Sequence, residues 1–455
     1  MNVYKIGHAS LIVEARGARC LMDPVFFEPF ECGVNCFEPP IRIDPNGVQG
    51  AYNLVVISHE HGDHFCIRSL NLLERRCPVV FPRGCGLIAR ALEAMGFQEL
   101  WPVTPGQIMG FNDLELTFTP SNVVFPEMGV LFSHAGRHVW NCVDTEFDQR
   151  AFSLVRQRAG RLDLMFAQYQ ALIEEELGCD ALGGSFPYKR YAMNLNAVTE
   201  ANPRCVVPSS CGYRYCAQPW QNQRGFPISE RQFLEDVRTL LPGTQALSLP
   251  QGGVINAEDF VIRENALPWV ERIDEAPAAS LDWRPDLGVP SLQDEDPYEH
   301  GAEALRREVG AFLKGEFLRE LMSPSVREWR ERLAAAGVVW QLEVVYPNGE
   351  IEESWLDFAQ PSSAWLTGAP RTPKIITSIC ASTLVGLRSG EVTPYRALFT
   401  RRVVLKLYAL SPGGLRRIGA LADEPIGRLL FPTANLRHVD AELKRLGYKP
   451  TTRFV

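Results

Sequence analysis

Short apolar runs, many of them alternating with polar residues, recur through roughly the first 260 residues, and this period of two predicts half-buried strands. Residues 4–24 alternate in this way and predict one hairpin, with its turn at 15–18 and its second strand ending at Asp23. Further strands are predicted within 52–60, 77–84, 114–121 and 128–148, and helices within 67–76 and 85–97. This order indicates an α/β layered domain over residues 1–262, with its site at the strand ends.

The pattern changes after residue 262. Residues 263–301 are rich in proline and acidic residues and have little periodicity, which predicts a linker or a wrapping segment. Residues 302–455 predict a smaller α+β domain, which would form a wall of the substrate pocket or a dimer contact. Within it, Asn348-Gly349 marks the turn of a hairpin, 374–390 is expected to be a helix and 396–410 a strand.

Composition narrows the class of protein. The 455 residues carry 46 Lys+Arg against 54 Asp+Glu, and this net charge of -8 argues against nucleic acid or an anionic membrane as partner. The sequence has no signal-peptide pattern and no run of 18 apolar residues, so no membrane span and a cytoplasmic location are expected. In that compartment the twelve cysteines are expected to be free, mostly buried thiols.

A cluster of metal-binding residue types follows one buried strand, in "ISHEHGDHF" (57–65). Three of the eight histidines lie within six residues there, together with an aspartate. On a loop that leads into a helix, residues i and i+2 can face one ion while i+4 and i+5 face a second. Imidazole and carboxylate together suit zinc, iron or manganese. The cluster therefore predicts a dinuclear metal site held by His59, His61, Asp63 and His64.

These residues have the H-x-H-x-D-H pattern and resemble the metallo-β-lactamase superfamily. The opening "GHASLIVE…CLMDP" resembles the branch of L-ascorbate-6-phosphate lactonases and CMP-N-acetylneuraminate hydroxylase-like proteins. The resemblance implies an αββα sandwich over about the first 260 residues, with two metal ions at one edge. It also implies that Asp144, in "WNCVDT", bridges the two ions. His8, in "GHAS", is expected near the site but is not a usual ligand of the family.

The sequence departs from that pattern at two loops where the family carries histidine. The first reads "SNVVFPEMG" and offers Glu127, and the second reads "PSSCGYRY" and offers Ser210 and Tyr213. No histidine occurs from 139 to 299, so the second one cannot be restored by realignment. Glu127 is therefore expected to be a metal ligand and, with Asp63, a catalytic residue. His8, Asp23, Ser210 and Tyr213 are expected to line the pocket or support the ligands.

These residues are compatible with three functions. An oxygenase with two irons that uses O2 to hydroxylate a small organic acid or its thioester is favoured, because an added carboxylate favours iron over zinc. A zinc or manganese hydrolase of a lactone, ester or phosphodiester is the alternative, and a metal-depleted binding protein is the third. The expected partner is a small-molecule substrate, free or bound to CoA or a carrier, and a homodimer is a further expectation.

Overall fold

The computed structural model describes most of the chain. The described residues are 1–123, 125–172, 185–216, 219–273, 283–297, 299–360, 365–370, 372–407 and 424–450. They divide into two compact units. The first unit contains Met1–Leu172, Ser185–Pro285 and Glu442–Val455, and the second contains Ile173–Gly184 and Asp286–Ala441. The division at Pro285 falls inside the segment for which a linker is predicted.

Two large sheets form the first unit. The first sheet has eight strands in the order β18-β17-β1-β2-β3-β6-β7-β8. Their bounds are β1 Asn2–Gly7, β2 Ser10–Ala15, β3 Ala18–Met22, β6 Leu54–Val56, β7 Val79–Pro82, β8 Leu100–Val103, β17 Val254–Asn256 and β18 Ile262–Arg263. The strands β3, β6, β7 and β8 are parallel, so their carboxyl ends lie at one edge of the sheet. Two helices, α1 Ile67–Leu70 and α2 Gly86–Ala94, lie in the connections between these parallel strands.

The second sheet has seven strands in the order β16-β14-β13-β12-β11-β10-β9. Their bounds are β9 Ile108–Phe111, β10 Leu114–Pro120, β11 Met128–His134, β12 Arg137–Asn141, β13 Leu164–Gln168, β14 Cys205–Ser209 and β16 Gln245–Ala246. The helices α3 Gln149–Ala159, α4 Tyr188–Ala201 and α6 Glu230–Leu240 contact this sheet, and α5 Pro219–Gly225 precedes α6. Two small ribbons pair β4 Asn35–Phe37 with β15 Tyr213–Tyr215, and β5 Ile41–Ile43 with β19 Val270–Arg272.

The apolar faces of the two sheets pack on each other. Alternate residues of β2, such as Leu11 and Val13, join Leu116 and Phe118 of β10 in one buried cluster, as the period-two pattern of a strand requires. A second buried cluster lies between the second sheet and its helices, with Trp140 of β12 among its members. The first unit is therefore an αββα sandwich, and the prediction of this fold followed by a smaller α+β unit is confirmed.

The second unit contains a five-stranded sheet in the order β22-β21-β20-β23-β24. Its strands are β20 Val339–Val345, β21 Ile351–Asp357, β22 Leu366–Thr367, β23 Ile375–Cys380 and β24 Val403–Leu407. Its helices are α7 Ala302–Phe312, α8 Leu318–Leu321, α9 Arg327–Ala335, α10 Ala381–Ser389, α11 Pro394–Phe399, α12 Pro425–Leu429 and α13 Phe431–Arg445. Among the described helices, none has the length and apolar composition needed to cross a membrane.

Three local predictions are wrong. The strand expected over 396–410 begins only at Val403, because Thr393 caps and Pro394 begins the helix α11. The helix expected over 374–390 begins only at Ala381, because the β-branched run Ile375–Ile379 forms a strand that pairs with β20 on one side and β24 on the other. The segment 4–24 forms three strands rather than two, because the chain also turns at His8 and Ala9, between β1 and β2. Alternation continues through that turn in the sequence, so the pattern does not reveal it.

The expectation of free thiols is wrong for two cysteines. Cys36 of β4 forms a disulfide with Cys216, which directly follows β15, across 180 residues of sequence. The antiparallel pairing of β4 with β15 brings the two together, with their Cα atoms 5.8 Å apart. Seven other described cysteines have free thiols, namely Cys20, Cys66, Cys77, Cys85, Cys142, Cys205 and Cys380, and all seven are buried as predicted.

Replacing both bridged cysteines by serine should destabilise the first unit. A cross-link that closes so long a loop removes entropy from the unfolded chain, so we expect a loss of about 2–5 kcal/mol in the free energy of unfolding. Chemical denaturation under non-reducing conditions measures this loss. The control is Cys77→Ser, a buried free thiol whose loss removes no cross-link. Equal denaturation midpoints for the wild type with and without reductant would contradict a stabilising disulfide.

Candidate metal centre

The predicted ligand cluster lies at the carboxyl end of β6, an inner strand of the first sheet. Just after the strand, the backbone N–H groups of His64 and Phe65 both donate to the carbonyl oxygen of His61, at 3.0 and 2.7 Å. This tight turn folds the loop back on itself, so that His59 and His64 approach each other with ring centroids 4.2 Å apart. The loop therefore concentrates the side chains at one edge of the sandwich.

Hydrogen bonds to Ser58 and Asp23 determine which imidazole nitrogens face the site. Ser58 Oγ donates to Asp23 Oδ2 at 2.8 Å and therefore accepts from His59 Nδ1, at 2.9 Å. His64 Nδ1 donates to the other side of the same carboxylate oxygen, at 3.0 Å. Both histidines thus present Nε2 with a free lone pair. Carboxylate support behind a histidine is the usual outer shell of a metal ligand.

The distances between ligand atoms suit shared cations. His59 Nε2 lies 3.0 Å from His61 Nδ1, and His64 Nε2 lies 3.1 Å from Asp144 Oδ2. Two donors that each lie about 2.1 Å from one ion are separated by about 3.0 Å at a right angle and about 3.4 Å at a tetrahedral angle. The observed separations fall at this spacing. Asp144 Oδ2 is also 3.9 Å from His59 Nε2, so this carboxylate lies between the two groups of histidines.

The electrostatics of the site favour added positive charge. Burial alone would lower the pKa of His64, but the carboxylates of Asp63 and Asp144 hold its pKa well above the usual value. Burial would raise the pKa of Asp63, yet His64 and the hydrogen bond with His8 keep it well below its usual range. Burial, His64 and His61 together lower the pKa of His59. The carboxylates thus stabilise a cation beside His64, which is the role a metal ion would take.

His8 is closer to the site than the resemblance implies. Its Nε2 lies 3.0 Å from Asp63 Oδ2, and its side chain is buried. Two groups of three side chains have their donor atoms within 4.8 Å of one another: His8, Asp63 and His64 form one, and His59, His64 and Asp144 form the other. Within the described residues, these are the groups that could hold a metal ion.

Glu127 is buried beside the site but belongs to neither of these groups. It precedes β11, whose first N–H, at Met128, donates to the carbonyl oxygen of Ser58 at 3.2 Å. Burial, followed by the charge of Asp144, raises the pKa of Glu127 to about 7. Its Oε1 is buried and has no hydrogen-bond partner in the described structure. A hydrogen bond with Ser121 satisfies part of this carboxylate, but the buried Oε1 stays desolvated, and a nearby cation would remove that cost.

The other loop expected to carry a ligand lies after β14, and its side chains meet His8. The hydroxyls of Ser209 and Ser210 are buried without hydrogen-bond partners and, with His8, line a cavity of about 140 Å³. The ring of Tyr213 meets the ring of His8 edge-on at 5.0 Å. Tyr213 therefore contacts His8, and Ser210 lines the same cavity as His8.

Two features of the site were not predicted from the sequence. Ser58 links Asp23 to His59, and its position directly before the first histidine was the only available signal. The ring of Phe125 lies over His61 and His59, with centroids 5.0 and 6.1 Å away. It lies in the loop predicted to supply Glu127, but an aromatic residue there gives no indication of which way it faces.

Comparisons with known proteins add little. No protein-family model and no curated protein matches the chain. Among solved structures, it is similar to an isothiocyanate hydrolase from Delia radicum gut bacteria, at 13% identity and a TM-score of 0.42, covering 56% of this chain and 98% of that one. It is similar to CmlA, a diiron beta-hydroxylase from Streptomyces venezuelae, at 18% identity and a TM-score of 0.39, covering 55% of this chain and 52% of that one. It is also similar to YhfI from Bacillus subtilis, a metallo-beta-lactamase fold protein, at 11% identity and a TM-score of 0.38, covering 56% of this chain and 99% of that one. The superfamily and its branch stay predictions from the sequence.

Asp23→Asn should weaken metal binding without unfolding the chain. The amide keeps the size of the carboxylate but no longer orients His64 and Ser58 as a charged acceptor, so we expect metal affinity to fall by about 10- to 100-fold. Competition with a chelator of known affinity measures this change.

The matched control is Asp163→Asn. This second buried carboxylate binds Arg137 and Arg204 and is in neither donor group. The Asp163→Asn variant should bind metal with the affinity of the wild type. Equal affinities in all three proteins would contradict the role of Asp23.

Proposed function

We propose that the chain is a dinuclear iron oxygenase that uses O2 to hydroxylate a small organic acid or its thioester. The observation that carries this proposal is Glu127, a buried carboxylate beside Asp144 with one oxygen that has no partner. Anionic oxygen ligands favour iron and stabilise its oxidised state, whereas they make zinc a poorer Lewis acid. A carboxylate at this position is therefore better suited to an oxidation than to a hydrolysis.

Charge balance supports two divalent ions at this site. When ionised, the four carboxylates of Asp23, Asp63, Glu127 and Asp144 carry four negative charges, which two divalent cations offset. Asp23 and Glu127 are buried, and the side chain of Asp63 is 13% exposed, so water screens this charge poorly. Buried charges of one sign without enough counter-ions would destabilise the fold, and a protonated His64 would offset only one of the four negative charges.

Different side chains would bind the two ions. His59 and His61, with Glu127, would hold one ion, while Asp63 and His64 would hold the other, and Asp144 would lie between them. When bound, a pair of irons supplies the activation of O2. The side chains of the chain fix the geometry, and the ring of Phe125 packs beside the rings of His61 and His59. Substrate is expected to approach over the exposed His61 side of the centre.

A metal-dependent hydrolase of a lactone, ester or phosphodiester is the second candidate. It is favoured by one observation, namely that Glu127 is in neither group of donor atoms. Without Glu127 as a ligand, the remaining donors suit zinc or manganese as well as iron. A metal-depleted binding protein is less well supported, because it has no need for inward-facing lone pairs backed by Asp23. A cytoplasmic location, a homodimer and a substrate carried by CoA or a carrier remain parts of the proposal that rest on the sequence.

The metal content of the native protein and of Glu127→His distinguishes the two candidates. Protein purified without added metal should contain about two irons per chain, absorb visible light in air, and consume O2 when a reductant is supplied. Replacing Glu127 by neutral imidazole should shift the metal content toward zinc and reduce O2 consumption by at least about 100-fold, because the anionic ligand that stabilises oxidised iron is lost.

The control variant is Glu115→His, a substitution on β10 in which the replaced glutamate pairs with Arg158. It should keep the iron content and the O2 consumption of the native protein. A native protein that contains only zinc, or that cleaves esters or lactones without O2, would overturn the oxygenase and leave the hydrolase.

A further inference from the structure

The second ion of the proposed centre has one protein ligand fewer than the first. On its side of the site, Asp63, His64 and the shared Asp144 supply three donors. The loop after β14 has no histidine to add, and its serine hydroxyls point into a cavity without hydrogen-bond partners. An imidazole nitrogen 3.0 Å from Asp63 comes instead from His8, in the turn between β1 and β2.

We propose that His8 is a ligand of the metal ion held by Asp63, His64 and Asp144, and that it binds through Nε2. This inference rests on the proposed metal centre and goes beyond it, since it assigns a ligand from the first hairpin of the chain.

The distances support shared coordination. Asp63 Oδ2 lies 3.0 Å from His8 Nε2 and 3.6 Å from His64 Nε2. These separations bracket the range of about 3.0 to 3.4 Å expected for donors about 2.1 Å from one ion. The donor atoms of the three side chains all lie within 4.8 Å of one another.

The surrounding residues hold His8 in an unfavourable backbone conformation. The residue occupies the turn between β1 and β2 with φ of +46°, a left-handed conformation that is unfavourable for a side chain other than glycine by roughly 1 kcal/mol or more. Its ring stacks on Phe30 at 5.7 Å and meets Tyr213 at 5.0 Å. A Cβ at Gly212 would lie 2.9 Å from the Cα and N of His8, so only glycine lets the loop after β14 pack this closely.

The second ring nitrogen also fits this role. When Nε2 binds a metal ion, Nδ1 carries the hydrogen and needs an acceptor. In the described structure Nδ1 is buried without a partner, and the hydroxyls of Ser209 and Ser210 lack partners as well. All three residues line the cavity of about 140 Å³, which has room for water between these groups. This arrangement would provide the outer support of a ligating histidine.

A purely structural histidine is the competing explanation. In that case His8 Nε2 donates a hydrogen bond to Asp63 and never binds metal. The variant His8→Gln distinguishes the two explanations. The amide N–H of glutamine can donate the same hydrogen bond to Asp63, so it would preserve a structural role. Its weakly basic oxygen does not replace imidazole as a metal ligand.

Anaerobic titration of the full chain with Co²⁺, followed by visible absorption and equilibrium dialysis, tests the proposal through metal binding rather than activity. The test variant is His8→Gly, because glycine adopts the positive φ of this turn without strain and leaves space for a free imidazole molecule. We expect the wild type to bind two Co²⁺ per chain. His8→Gly should keep one tight site, bind the second ion at least about 10-fold more weakly, and recover it when imidazole is added.

Two further variants complete the test. His8→Gln should behave like His8→Gly, and His138→Gln should bind two ions as tightly as the wild type, since His138 bonds to Ser133 and is in neither donor group. The proposal is overturned if His8→Gly binds both ions with wild-type affinity, if it loses both together, or if His8→Gln restores the second ion. A wild type that binds fewer than two Co²⁺ would instead overturn the dinuclear centre itself.

Discussion

The buried carboxylate of Asp23 is the interaction on which the geometry of the site depends. It accepts hydrogen bonds from the backbone and hydroxyl of Ser58, at 2.7 and 2.8 Å, and from His64 Nδ1, at 3.0 Å. Asp23 follows β3 and Ser58 follows β6, so these bonds also join the ends of two parallel neighbouring strands. One side chain thereby ties the sheet edge together and turns the lone pairs of His64 and His59 toward the same space.

This dependence explains why a metal site forms at a sheet edge. Strands can supply rigid positions, but the imidazoles need a fixed tautomer, and Asp23 and Ser58 impose it through a chain of hydrogen bonds. Among the described residues, the ion pairs of Asp63 and Asp144 are with histidines, and these carboxylates hold the pKa of His64 well above its usual value. A site that is ordered before metal binds, and that is short of positive charge, favours divalent ions over water.

Local information in the sequence predicted part of this arrangement. The cluster of His59, His61, Asp63 and His64 could be found because its members are adjacent along the chain, and the layered fold followed from strand and helix periodicity. The resemblance placed His8 near the site, but its direct contact with Asp63 could not be predicted, because it depends on a turn hidden inside an alternating pattern and on residues 55 positions apart.

The same limit applies to other features that depend on distant pairings. The disulfide joins cysteines 180 residues apart, and no local pattern in the sequence connects them. β23 was misassigned because its β-branched residues, which favour a strand, run directly into the helical residues of α10, and the boundary at Cys380 is fixed by pairing with β20 and β24. Tertiary pairing, rather than local propensity, decided each of these cases.

Anomalous diffraction from crystals of the native protein, collected at the iron absorption edge, tests the central claim most directly. The account predicts two peaks about 3.5–4 Å apart. One should lie within about 2.3 Å of His59 Nε2, and the other equally close to His64 Nε2. Glu127 should contact the first peak and His8 the second. A single peak, or two peaks at sites remote from Asp144, would contradict a dinuclear centre.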